Sequence, residues 1–190
     1  ALPKGLIRLL KKQPGLWDLP ELPELGSPLS NSGLIHDAQI SISKKVNTKK
    51  CFFGVNGASG LIQSGIFAMA NPGECILMPR NVHISVIKAC ALQNIIPIFF
   101  DIEFSPVTGH YMPITKKWFT NVFKNIDFDK NKIVGVILVS PYYQGYATDL
   151  EPLIKICHLH NLPVLVDEAH GSYFLFCENY NLPKSALRSK

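Results

Sequence analysis

A chain of 190 residues with 19 Lys and Arg against 14 Asp and Glu carries a formal charge of +5. Its 47% hydrophobic and 17% charged residues supply a core at about the size of one domain and exclude a disordered chain. No Lys/Arg block exceeds two residues and no apolar run approaches the roughly 18 residues of a membrane helix, so neither nucleic acid nor membrane is an expected partner.

Residues 1–50 carry Pro14, Pro20, Pro23 and Pro28 with Gly15, Gly26 and Gly33 between them. They read as a loop-rich N-terminal arm with one helix near Leu34–Lys45. No signal peptide is visible, and an opening Ala1 fits a start inside a longer chain. The five cysteines, at 51, 75, 90, 157 and 177, contain no C-x-x-C. They fit buried thiols in a reducing, cytoplasmic compartment better than a disulfide framework or a zinc site.

From residue 51 to 190 short apolar runs alternate with helical patterns. The runs are 51–55, 75–78, Ile96–Phe100, Ile133–Val139 and 164–166. They are continuous rather than alternating, as parallel strands buried on both faces are. The predicted helices between them are 59–70, 81–92, 114–126 and 149–160, the last with Asp149 as N-cap. Strands alternating with helices imply βαβ units, hence an α/β fold of three layers, α/β/α, with a mostly parallel sheet.

Ligands of such sheets bind beyond the carboxyl ends of the strands. The residues there are Asn56-Gly57-Ala58-Ser59-Gly60, Pro79-Arg80-Asn81-Val82-His83, Ser140-Pro141-Tyr142-Tyr143 and Asp167-Glu168-Ala169-His170. A strand ending in Asp-Glu-Ala-His suits a helicase ATPase, but that chemistry needs a phosphate loop with Gly-Lys, and none of the 13 glycines precedes a lysine. Gly54, Gly57 and Gly60 form G-x-x-G-x-x-G, not the dinucleotide pattern G-x-G-x-x-G. What remains is a turn that opens a helix and offers N–H groups and the Ser59 hydroxyl to one phosphate. Read alone, the same glycines equally suit a tight, closely packed turn.

Taken together, residues 52–60, 79–86, 140–145 and 164–171 resemble the Orn/Lys/Arg decarboxylases, a bacterial family of fold-type I pyridoxal phosphate enzymes. The likeness runs from about Gly15 to Leu187. It implies the large domain of a pyridoxal phosphate-dependent transferase-like fold, pyridoxal 5'-phosphate as cofactor and a basic amino acid (arginine, lysine or ornithine) as substrate. It places the protein in amino acid metabolism and polyamine biosynthesis. It further implies that Asp167 pairs with the pyridine nitrogen, where a carboxylate keeps the ring protonated and electron-accepting. His83 would stack on the ring face. Ala58, Ser59 and Gly60 would hold the phosphate, although the family is usually richer in Ser/Thr there. Ser140 would lie near the ring hydroxyl and Ala169 under the ring. His170 would lie beside the reacting carbon, in contact with substrate or handling a proton. Glu168 reads as structural. Tyr142-Tyr143 stand where the family often has Thr-Tyr, and Tyr142 receives no role.

The resemblance also implies a lysine in a Ser/Thr-x-His-Lys motif that joins the cofactor. No His-Lys pair occurs here, and Lys190 follows Arg188-Ser189. The expectation is a truncated large domain, lacking its last strands, the anchoring lysine and the small domain, and inactive alone. The family's homodimer, with its active site at the subunit interface, is implied likewise. An isolated fragment should expose sheet edge and be poorly soluble. Two rivals remain: another fold-type I reaction, such as transamination or C–S lysis, and a non-catalytic degenerate or split subunit.

Overall fold

The computed structural model describes residues 4–11, 19–20, 22–128, 132–177 and 180–189, without the side chains of residues 6, 9 and 10. Pro14, Gly15 and Lys190 lie outside the described residues. The chain divides into two compact units, Ala1–Phe53 and Gly54–Lys190.

The first unit holds helix α1 (Lys4–Leu10) and helix α2 (Leu34–Lys45). The helix expected at Leu34–Lys45 is present; α1 was not expected. Buried Gln39 donates from Nε2 to the Pro28 carbonyl at 3.0 Å and so ties α2 to the preceding loop. The helix ends in the left-handed residue Asn47, and Thr48 N–H closes back onto the Ser43 carbonyl at 2.9 Å.

The second unit contains helices α3 (Gly57–Met69), α4 (Ile84–Leu92), α5 (Lys116–Lys124) and α6 (Glu151–Leu159). Its strands are β1 (Cys75–Pro79), β2 (Ile96–Phe100), β3 (Phe104–Ser105), β4 (His110–Tyr111), β5 (Ile133–Val139) and β6 (Val164–Asp167). Four strands pair in parallel in the order β2-β1-β5-β6. Alternate residues of β1 point to opposite faces. Cys75 and Leu77 meet Phe119 and Phe123 of α5 and Leu153 and Cys157 of α6, whereas Ile76 and Met78 meet Ile62 and Ile66 of α3 and Val86 and Ala89 of α4. The result is the expected α/β/α sandwich, with both faces of the sheet apolar because both are covered. Gly135 of β5 has a packing reason: a methyl group there would collide with Met69 of α3.

Two expectations are corrected, and one further element was not expected. Residues 51–55 form no strand; Phe52, Phe53 and Val55 are exposed, and an apolar run without a ladder partner has no sheet to join. The last helix is capped not by Asp149 but by Leu150, because Pro152 suits the first turn, where its missing N–H leaves no bond unmade. The antiparallel hairpin β3-β4, turned by left-handed Gly109, is too short for any periodicity to announce.

Candidate functional site

The chain runs from β1 outward through α4 to β2, then returns to β5 on the other side of β1. Connections therefore leave β1 and β5 in opposite directions, and a crevice opens between their carboxyl ends. A cavity of about 260 Å³ occupies that place.

One wall is the start of α3, which brings Ala58 and Ser59 to the cavity. Gly57 begins the helix in the left-handed conformation, at φ +64° with open space around its Cα, so the chain turns sharply from coil into helix. The N-cap residue Asn56 makes no side-chain cap bond. The first N–H groups of α3 are thus left for an anion, with the helix dipole behind them. Gly60 does not line the cavity; its N–H donates to the Asn56 carbonyl at 3.3 Å.

A second wall follows β1. His83 caps α4: its Nδ1 accepts the Ser85 N–H at 3.2 Å and lies 2.8 Å from Ser85 Oγ. These two contacts fix the orientation of the ring. The imidazole is held as a plate at the cavity edge. Asn81 lines the cavity beside it.

A third wall follows β5 and β6. Asp167 ends β6; its carbonyl accepts the Ser140 N–H at 3.1 Å and its Oδ1 accepts the Ala169 N–H at 3.2 Å. No hydrogen bond to Oδ2 occurs among the described residues. Ala169 lines the cavity with a small side chain, and His170 packs against the exposed Tyr143 with ring centroids 4.7 Å apart. Glu168 turns away: its carboxylate accepts from Ser185 Oγ at 2.7 Å and Ala186 N at 2.9 Å. Burial pushes its pKa up, and those two donors hold the rise back. Its role is to tie residues 185–186 to the strand end, as its structural reading expected.

Ser140 is buried beneath the wall rather than in it. Its Oγ accepts the Thr148 N–H at 3.0 Å and faces the Thr148 carbonyl at 3.4 Å. Ser140, expected near a ring hydroxyl, does not line the cavity, and its hydroxyl is engaged with the Thr148 main chain. Among the polar lining residues that carried no assigned role are Asn81, Tyr142 and Tyr111, the last delivered by the hairpin. The strand-end rule alone could have flagged Asn81, whereas Tyr111 had only the turn residues Pro106 and Gly109 to announce it.

The donor set fits a phosphorylated pyridine. A helix start and the Ser59 hydroxyl suit a phosphate; a carboxylate with an unengaged oxygen suits a ring nitrogen; an imidazole plate suits a ring face; and Ala58 and Ala169 leave space between them. The described residues offer no group of His, Cys, Asp and Glu that could hold a metal ion.

Residues 17–189 match the Orn/Lys/Arg decarboxylase major-domain family. The arginine decarboxylase of Bacillus cereus is 35% identical over 157 residues, covering 83% of this chain and 33% of that protein. The arginine decarboxylase of Bacillus subtilis is 32% identical over 174 residues, covering 92% and 34%. The constitutive lysine decarboxylase of E. coli superposes with a TM-score of 0.73 at 19% identity, covering 86% of this chain and 23% of that one. The chain thus spans about a third of the length of the curated relatives it matches.

Proposed function

The chain belongs to the Orn/Lys/Arg decarboxylase family by its major domain, and from that membership we propose that it is the cofactor-binding part of a pyridoxal 5'-phosphate-dependent decarboxylase of a basic amino acid, arginine first. The observation that supports this best is the meeting of Ser59, His83 and Asp167 around one cavity at the β1/β5 crevice. Arginine is favoured over lysine because the two Bacillus relatives, at 35% and 32% identity, are named arginine decarboxylases.

Bound there, the cofactor supplies a pyridine ring that takes up the electron pair left when a carboxylate departs as CO₂. The residues of this chain make that possible. Asp167 holds the proton on the ring nitrogen. His83, fixed by Ser85, covers one ring face. Ser59 and the uncapped N–H groups of α3 hold the phosphate, which sets the ring's orientation. Ala169 would pack under the ring, where a larger side chain would clash. His170, steadied by Tyr143, handles a proton at the rim, where substrate enters.

The working assembly is proposed to be a cytoplasmic homodimer. All five cysteines are unpaired thiols, which supports a reducing compartment, and the exposed Tyr143, Tyr173 and Phe176 offer apolar surface for a second copy. No helix of the described residues is long and apolar enough to cross a membrane.

Two measurements test the reading. Pyridoxal 5'-phosphate titrated into the chain and followed by absorbance should bind saturably, and Asp167→Ala should weaken binding by about tenfold or more, as the loss of a charged hydrogen bond does. The whole reading frame, expressed and given carboxyl-labelled arginine, lysine and ornithine, should release labelled CO₂, fastest from arginine. Formation of a keto acid without CO₂ would move the protein to transamination.

A further inference from the structure

Glu168 is fastened outside the cavity by its side chain and to the cavity by its main chain. Its carboxylate accepts from Ser185 Oγ at 2.7 Å and from the Ala186 N–H at 2.9 Å, at the head of one turn of 3-10 helix (Ala186–Arg188). Ser185 is buried, and its Oγ also accepts the Leu187 N–H at 3.3 Å, so the anchor is itself held in place. The Glu168 carbonyl accepts the Gly171 N–H at 2.9 Å and closes a turn over Glu168–Gly171. Ala169 and His170, at the centre of that turn, both line the cavity. One residue before the anchor, Lys184 donates to Glu151 at 2.8 Å, a second fastening of the same segment that does not reach the cavity.

The same turn bears on Asp167. The Ala169 N–H donates to Asp167 Oδ1 at 3.2 Å, so where the turn sits decides how that carboxylate is aimed. The turn is closely boxed: a methyl group at Gly171 would strike both Pro141, which lines the cavity, and the stem of Glu168. A contiguous set of hydrogen bonds thus runs from Ser185 and Ala186 through the Glu168 carboxylate and the turn to the Asp167 carboxylate. A site keeps its geometry only as well as the groups behind it are held.

We propose that Glu168 is a positioning residue of the site: by clasping Ser185 and Ala186 it holds the Glu168–Gly171 turn where Asp167, Ala169 and His170 together meet a bound pyridine ring. This rests on the cofactor reading above. Glu168 touches neither ring nor substrate and acts through Ala169 and Asp167. The clasp needs length and hydrogen bonding rather than charge, since a carboxamide of the same length has an oxygen to accept the Ala186 N–H and an amide nitrogen to meet Ser185 Oγ.

Titration of pyridoxal 5'-phosphate into the protein expressed from its whole reading frame tests the assignment. Glu168→Ala should weaken binding about fivefold and alter the circular dichroism of the bound cofactor, which reports how the ring is held. Glu168→Gln should restore both, with affinity within about twofold of the unaltered protein. Glu151→Gln, which frees the other fastening of the same segment, should leave both unchanged. Glu168→Asp keeps the charge but is one methylene short of its partners; it should behave like Glu168→Ala and takes its place if the alanine variant does not fold. A lower thermal midpoint with affinity and dichroism unchanged overturns the assignment and leaves the cofactor reading standing. So does Glu168→Gln binding as weakly as Glu168→Ala, or Glu151→Gln doing the same. Absence of saturable binding to the unaltered protein overturns the cofactor reading, and this assignment with it.

Discussion

The two ends of the parallel sheet are built on opposite plans. At the amino end each strand is entered through a left-handed residue: Gly73 before β1, Asn94 before β2, Lys132 before β5 and Asn161 before β6. The helix ends there are closed by main-chain bonds, Ile95 N–H to the Cys90 carbonyl at 2.9 Å and Leu162 N–H to the Cys157 carbonyl at 3.0 Å, with Ile95 and Leu162 buried beneath. This is the Schellman closure, with asparagine tolerating the left-handed position. At the carboxyl end Asn56 leaves its helix uncapped, Asp167 keeps an oxygen unengaged, and Asn81 and Tyr142 hold unpaired atoms. One orphan, Gln93 Oε1, interrupts the pattern at the amino end. One end of the sheet is finished by its own chain, and the other keeps polar groups without partners among the described residues.

The comparison can be broken outright by emptying the core that both ends share. Leu77, wholly buried in the middle of β1, should lose about 2–5 kcal/mol on replacement by alanine, the usual range for a buried leucine. Urea denaturation reads that loss, and cofactor affinity should fall only in proportion to the unfolded fraction.

A matched pair of backbone defects sharpens it. Valine at Asn161 or at Gly57 forces a branched side chain into a left-handed conformation and should destabilise by about 1–2 kcal/mol in either place. Only Gly57→Val disturbs the first N–H groups of α3. Titration with pyridoxal 5'-phosphate should therefore show severalfold weaker binding for Gly57→Val and unchanged binding for Asn161→Val. Equal affinities would mean that α3 does not hold the phosphate.

The smallest effect is electrostatic and concerns two glutamates. Lys155 and Lys184 each donate to Glu151 at 2.8 Å and hold its carboxyl at about 2, below the ordinary 4.5. A folded-state value below the unfolded one gives stability that is present above about 4.5 and lost as pH falls through about 2. Glu168 has the opposite sign. Its raised value means that stability is lost as pH rises from 4.5 through the folded value, so mild acidification relieves it. Thermal midpoints of Glu151→Gln between about pH 7 and pH 2 should show a shallower acid decline than those of the unaltered chain.

The sheet was legible because its strands are apolar on both faces. Cys75-Ile76-Leu77-Met78 shows no alternation for the same reason that it is buried throughout. Residues 51–55 are also an apolar run but lack neighbouring strands, and pairing is not a property of a segment alone. At the site, Asp167, His83, Ser59 and Ala169 could be placed by the strand-end rule together with the family pattern. Ser140 could not, because which way a hydroxyl points depends on Thr148, eight residues on. The strand-end rule reached Asn81 and Tyr142 as well, but not that both line one cavity with a buried, unpaired polar atom, which exists only once the crevice forms.

Gly135 and Gly65 hold a further meaning. Helix α3, about 20 Å long by its residue count, is antiparallel to the strands, with its last residue Met69 over Gly135 and its middle, at Gly65, over Leu165. Those two contacts act as fulcrums. The height at which the helix rides on the sheet is set by a hydrogen atom at each. That height fixes how far the far end of the helix stands from Asp167. The span between the start of α3 and Asp167 is therefore calibrated from below, by residues that do not line the cavity. A methyl group added at either glycine would retune the cavity while leaving every residue that lines it unchanged.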